Sequence, residues 1–276
     1  MTSLRYKEKV ALITGGSRGI GKGCVDVFVE NGAKVVFCSN DDTEGQDLER
    51  NLNSNGPGKA LFIYGDVTQE SDIKNIVEKT VEKFGRIDCL INNAGTHPLS
   101  HTIDEFSAED FRKLLDLNLI NYFLFSKYSL PHLRKTEGNI INISSLVNQL
   151  GQEQAVTYVA TKGAITSMTK ALAIDEAKYN VRVNSVAPSA IWTPLLDDVL
   201  KSVPNPLEAK QMCANNQLLG RLGTIEEVGQ ACLFLASDAT FCTGIELNLS
   251  AGAELNYGNK MMRKQKTSAN YKDSLK

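Results

Sequence analysis

Short apolar runs alternate along the chain with longer segments in which apolar residues recur every three or four positions. Val10–Thr14, Lys34–Cys38, Ala60–Tyr64, Cys89–Asn92, Ile140–Ile143, Val181–Ala187 and Ile245–Leu249 are short and apolar enough to be strands buried on both faces. Between them a helical period runs through about Ile20–Asn31, Glu44–Leu52, Asp72–Phe84, Ala108–Asp116, Leu119–Leu133, Thr157–Tyr179 and Thr224–Ala236. Asp72–Phe84 shows that period most plainly, with Ile73, Ile76, Val77 and Val81 at helical spacing. The alternation predicts an α/β fold: a Rossmann-like, doubly wound, parallel seven-stranded sheet with helices on both faces, in a single domain. Ligands of such a sheet bind at the carboxyl ends of its strands. Pro188–Gly220, with four prolines, fits neither period and follows the sixth strand, so it is expected to be an irregular lid at that edge. From Lys260 the chain carries six basic residues and one acid, Asp273, and residues 259–276 are expected to be a disordered basic tail.

Composition narrows the partners. The chain has 276 residues and a formal net charge of -2, with 42% hydrophobic and 22% charged residues. That balance argues against nucleic acid or an anionic membrane as partner and for a small molecule. No apolar run approaches the ~18 residues of a membrane span, and the polar segment Met1–Lys9 lacks the core of a secretion signal. None of the six cysteines forms a C-x-x-C pair, and no histidine stands at ligand spacing to a cysteine. This predicts no metal site and a reducing, cytoplasmic location.

The chemistry gathers at the strand ends. Thr14-Gly15-Gly16-Ser17-Arg18-Gly19-Ile20-Gly21 joins the first strand to the first helix. Glycines there permit a tight turn and close approach of backbone to a ligand, and the helix start offers free N–H groups to a pyrophosphate. Tyr158 and Lys162 stand four apart at the start of the long helix, so phenol and ammonium share one face. A cation held nearby is expected to lower the phenol pKa and make Tyr158 a general base for alcohol oxidation. Ser145, at the end of the fifth strand, can stabilise a developing charge on a substrate oxygen. Asn118 is an amide within an apolar helix, and is either a structural hydrogen-bonding residue or part of a proton path. His97, after Asn92-Asn93-Ala94-Gly95, and Gln152 lie on segments that end at the ligand edge and are expected to border substrate, with Trp192 and Leu196 of the lid as apolar walls.

Together these motifs resemble the short-chain dehydrogenase/reductase family over roughly residues 5 to 258. The resemblance implies an NAD- or NADP-dependent enzyme acting on CH–OH groups. Its catalytic set falls on Asn118, Ser145, Tyr158 and Lys162. It implies cofactor contacts at Gly15, Arg18, Gly19, Ile20, Gly21, Ser39, Asp66, Val67, Asn93, Tyr158, Lys162, Ile191 and Thr193. Within the family, stretches such as Ile191–Pro194 and Phe241–Glu246 are similar to the 17β-hydroxysteroid dehydrogenases. That likeness implies a cytosolic homotetramer oxidising a 17β-hydroxysteroid such as estradiol with NAD, or alternatively a sugar such as L-fucose. A non-catalytic NAD(H)-binding sensor or scaffold is the rival from another class. Three positions depart from the pattern: Ser189 and Ala251 stand where glycine is usual, and Ser39 where relatives carry aspartate. A neutral Ser39 weakens both the grip on a ribose 2′-OH and the repulsion of a 2′-phosphate. Arg18 in the glycine turn could pair with a phosphate, which also favours NADP, whereas Asn40 is not basic and Asp41 and Asp42 follow it. The resemblance to an NAD-using group then makes NAD the expected cofactor, with NADP second. Tyr122, Phe123, Phe125 and Tyr128 spread around one helix, which predicts burial on two faces and hence self-association.

Overall fold

The structure, a computed structural model, describes residues 4–255. Seven parallel strands form one sheet: β1 (Val10–Thr14), β2 (Lys34–Ser39), β3 (Lys59–Tyr64), β4 (Cys89–Asn92), β5 (Asn139–Ile143), β6 (Arg182–Pro188) and β7 (Glu246–Leu249). Their spatial order is β3-β2-β1-β4-β5-β6-β7. The order reverses beside β1, so the crevice between the carboxyl ends of β1 and β4 is the ligand position of a doubly wound sheet. Successive residues of β1 serve opposite layers. Ala11 and Ile13 pack with α1 (Gly19–Glu30) and α10 (Ile225–Ser237), while Leu12 packs with α3 (Glu70–Phe84) and α5 (Asn121–Thr136). The predicted fold class and strand set are those found. The basic tail lies outside the described residues.

The remaining helices are α2 (Asp42–Asn55), α4 (Ala108–Leu115), α6 (Val147–Leu150), α7 (Val156–Glu176), α8 (Pro194–Lys201) and α9 (Pro206–Asn215). The last two correct the expectation of an irregular lid. Pro194 and Pro206 each stand in the first turn of a helix, behind the N-caps Thr193 and Asn205. Proline is favoured there, because its missing N–H has no helical partner to lose. The expected pair of separate helices around Asn118 also differs. α4 runs into α5 through a wide π turn, Asp116–Ile120. The break in the apolar pattern is a local widening of one helix, a feature frequent at functional sites. Both glycine replacements have visible settings. Ala251 holds a left-handed φ of 48°, where glycine costs nothing. Ser189 donates its hydroxyl to Gln217 and Ser250 beneath the lid.

Of the four aromatic residues expected around α5, Tyr122 and Phe125 are fully buried and Phe123 is 50% exposed. Tyr128 reaches Glu70 on α3. No helix of the described residues is long and apolar enough to cross a membrane. The described residues hold no group of three or more potential metal ligands, and all six cysteines are free.

Candidate active site

A cleft of about 580 Å³ opens at the carboxyl ends of β1, β2, β4, β5 and β6. Its floor is the glycine turn. Gly15 and Gly19 have φ of +65° and +56°, values that side-chain-bearing residues rarely adopt. A Cβ on Gly21 would sit 2.0 Å from the Gly15 carbonyl oxygen, so that glycine lets α1 pack against the turn and does not face the cleft. Asn93 holds the turn in place by donating to the Thr14 and Gly15 carbonyls at 2.9 and 3.1 Å. Thr14 Oγ1 in turn accepts from the Asn93 and Ala94 amides. The α1 N-terminus has no side-chain cap and no acid in its first turn. Its positive end is therefore open to a pyrophosphate, and the turn fits a dinucleotide. Asp66 and Val67, after β3, line the far side.

The opposite wall carries the reactive side chains. Tyr158 is placed by the first turn of α7 and lines the cleft with Ser145, the hydroxyl that favours its phenolate. Lys162 lies one turn on, 5% exposed, its Nζ donating to the Ile143 carbonyl at 2.9 Å and standing 5.7 Å from the Tyr158 ring centroid. Burial pushes the Tyr158 phenol up to about 12, opposed by the Ser145 hydrogen bond. Burial also pushes Lys162 down to about 8. The expectation of a lowered tyrosine pKa is thus corrected: removal from water outweighs a cation that is turned toward a backbone carbonyl. The His97 ring lies 4.2 Å from that of Tyr158, and its Nε2 is 3.3 Å from Gln152 Oε1.

The other sequence candidates divide. Arg18, Ile20, Ser39 and Thr193 line the cleft with those already named. Asn118 does not. It is fully buried in the π turn, with Oδ1 accepting from the Thr96 amide and Nδ2 donating to the Thr96 carbonyl, both at 2.9 Å. It braces the segment that carries His97. Ile191 is buried in the core through its bridge to Gly223. Trp192 turns outward under Lys210, whose Nζ is 3.5 Å from the ring centroid. Leu196 also lies off the cleft wall, and Gln152 reaches the site through His97. Pro194 and Leu195 supply the lid contacts instead. With Thr193 as N-cap, the first turn of α8 presents them, a cue that reading Pro194 as a helix start would have supplied. Sequence reasoning also missed Thr96 and Leu117 in the wall.

This chain belongs to the short-chain dehydrogenase/reductase family. The family described as enoyl-(acyl carrier protein) reductase matches residues 15–254, and the chain is an oxidoreductase built on an NAD(P)-binding Rossmann fold. L-fucose dehydrogenase of Bos taurus is 53% identical over 256 residues, 93% of each chain. The aldohexose dehydrogenase of Thermoplasma acidophilum has a TM-score of 0.83 at 30% identity, over 94% of this chain and 99% of that one. A 3-ketoacyl-(acyl-carrier-protein) reductase from Brucella melitensis, solved with NADH, has a TM-score of 0.82 at 30% identity, over 90% and 99%. Two of these names are those of sugar dehydrogenases, which backs the sugar alternative better than the expected steroid reading.

Proposed function

We propose that the chain oxidises a hydroxyl-bearing carbon of a sugar, L-fucose first, with NAD. The observation that carries the reaction type is the Tyr158–Ser145 pair, set in the cleft one helical turn from buried Lys162. The substrate class is supported by the likeness to L-fucose and aldohexose dehydrogenases. The polar His97–Gln152 pair at the rim suits a ligand rich in hydroxyls. A bound nicotinamide supplies the hydride acceptor. Tyr158, as the phenolate, takes the hydroxyl proton as the hydride leaves the substrate carbon for the nicotinamide, Ser145 holds the substrate oxygen, and Lys162 offsets the phenolate charge until that proton arrives. Asn118 acts by holding Thr96 and the His97 segment.

NAD is favoured over NADP by Asp41. Ser39 spends its hydroxyl on the Asp41 backbone, and the Asp41 carboxylate caps α2 while lining the cleft. A resident anion at that helix start disfavours a 2′-phosphate. Oxidation of a 17β-hydroxysteroid, suggested by likeness to the type 14 17β-hydroxysteroid dehydrogenase, is the second reading. The apolar Leu117, Pro194 and Leu195 walls favour it. A cytoplasmic homotetramer is the assembly this reading carries, supported by the exposed Ile120 and Phe123 near the start of α5, and light scattering gives its mass. Tyr158→Phe tests the chemistry. L-fucose oxidation should fall about 100- to 10,000-fold with NADH binding by nicotinamide fluorescence unchanged; a variant keeping more than about a tenth of the activity removes Tyr158 from the role.

A further inference from the structure

Behind the cleft lies a polar cluster to which no role has been given above. Its centre is Glu246, the first residue of β7, on the strand farthest from the glycine turn. Glu246 Oε2 accepts from Asn148 Nδ2 at 2.8 Å, Thr166 Oγ1 at 2.5 Å and Ser185 Oγ at 3.2 Å. Its Oε1 accepts from Gln149 Nε2 at 2.7 Å. All four donors are neutral, and they come from three elements: α6, α7 and β6. A carboxylate set among neutral donors fixes their direction, because it can only accept.

That direction reaches the reactive wall. Thr166 donates to Glu246, so the 2.9 Å bond between Thr166 and Ser144 must take its hydrogen from Ser144 or yield it to the Lys162 carbonyl, 3.2 Å from Ser144 Oγ. Asn148 donates to Ser144 as well as to Glu246. Ser144 precedes Ser145, and α6 begins two residues after it. The cluster therefore clamps the backbone on both sides of Ser145 to the turn of α7 that carries Lys162.

We propose that Glu246 is a positioning residue: through Asn148, Thr166 and Ser144 it holds Ser145 and Lys162 in register on the reactive wall, without touching substrate or cofactor. The proposal rests on the reading of those two residues as reactive groups. Misplacement of such groups by about 1 Å costs on the order of 100-fold in rate.

The test compares Glu246→Ala and Glu246→Gln in the full chain. The alanine variant should lose about tenfold to 100-fold in kcat on the best sugar substrate, with a clearly smaller loss in NADH affinity, since the dinucleotide turn lies on other strands and only the Lys162 contact is disturbed. Hydrogen exchange should quicken in residues 145–151 and stay unchanged in residues 14–21. Glutamine keeps an acceptor for Asn148, Thr166 and Ser185, and a flip of the Gln149 amide meets its new N–H. Glu246→Gln should thus recover kcat to within about threefold of wild type. The proposal is overturned by an alanine variant with near-wild-type kcat and exchange, by parallel loss of kcat and NADH affinity, or by a glutamine variant as impaired as alanine. If wild type oxidises no alcohol, the functional reading fails, and the exchange comparison still decides whether Glu246 holds the segment.

Discussion

The dinucleotide half of the molecule and its lid are built on opposite terms. β1 is buried at every position, and the turn that follows it is pinned by Thr14 and Asn93. The lid helix α9 has no buried residue, and Leu207 in its first turn is 82% exposed. Packing fixes the first region to within a methyl group, whereas capping and proline placement fix the second. The difference teaches that the lid is the part of the fold with the least packing to lose, as expected of a segment able to open locally.

The largest break in that comparison is the same substitution made in both regions. Leu12→Ala, at a fully buried position of β1, should cost about 2–5 kcal/mol in denaturant unfolding. Leu207→Ala should stay within about 0.5 kcal/mol. Comparable losses at both sites would mean that the lid is packed as tightly as the sheet.

Gly21→Ala comes next. Its Cβ would meet the Gly15 carbonyl at 2.0 Å and Asn93 Nδ2 at 2.6 Å, and backbone has little room to yield. About 1–3 kcal/mol of stability should be lost, with weakened NADH binding by fluorescence titration. Full binding at normal stability would show that the turn is softer than its hydrogen bonds indicate.

The third test is electrostatic. Lys162 is held down to about 8 by burial, against roughly 10.4 in an unfolded chain. Between those values the unfolded state binds the extra proton, so this contribution makes stability rise with pH; below about 8 the cost is full and constant. Lys162→Met removes it. The stability of the variant relative to wild type should decline from about pH 7 to about pH 10 in paired thermal melts, and an unchanging difference would mean that the ammonium is not desolvated.

The two regions also differ in how far they could be read from the amino-acid order alone. Runs such as Val10–Thr14 announced their strands because both faces are buried, and the glycine turn because only glycine tolerates its backbone. Tyr158, Lys162 and Ser145 could be named because helical spacing and strand ends fix where they point. The lid prolines were misread as breakers, since a proline at a helix start and one in a loop look alike without the cap geometry. Trp192 was expected inward on hydrophobicity, yet an exposed partner, Lys210, covers its ring. The direction of the Tyr158 shift was missed because charge proximity is visible in spacing and desolvation is not. Glu246 was invisible as a hub, because its donors come from three elements spread over residues 148–185.

The most direct measurement of the central claim is kcat/KM for L-fucose and for estradiol, side by side with NAD. The account predicts a preference for L-fucose of about tenfold or more, because the reactive pair faces a polar rim. A preference for estradiol of the same size would contradict it and give the apolar walls of Leu117 and Leu195 the deciding part.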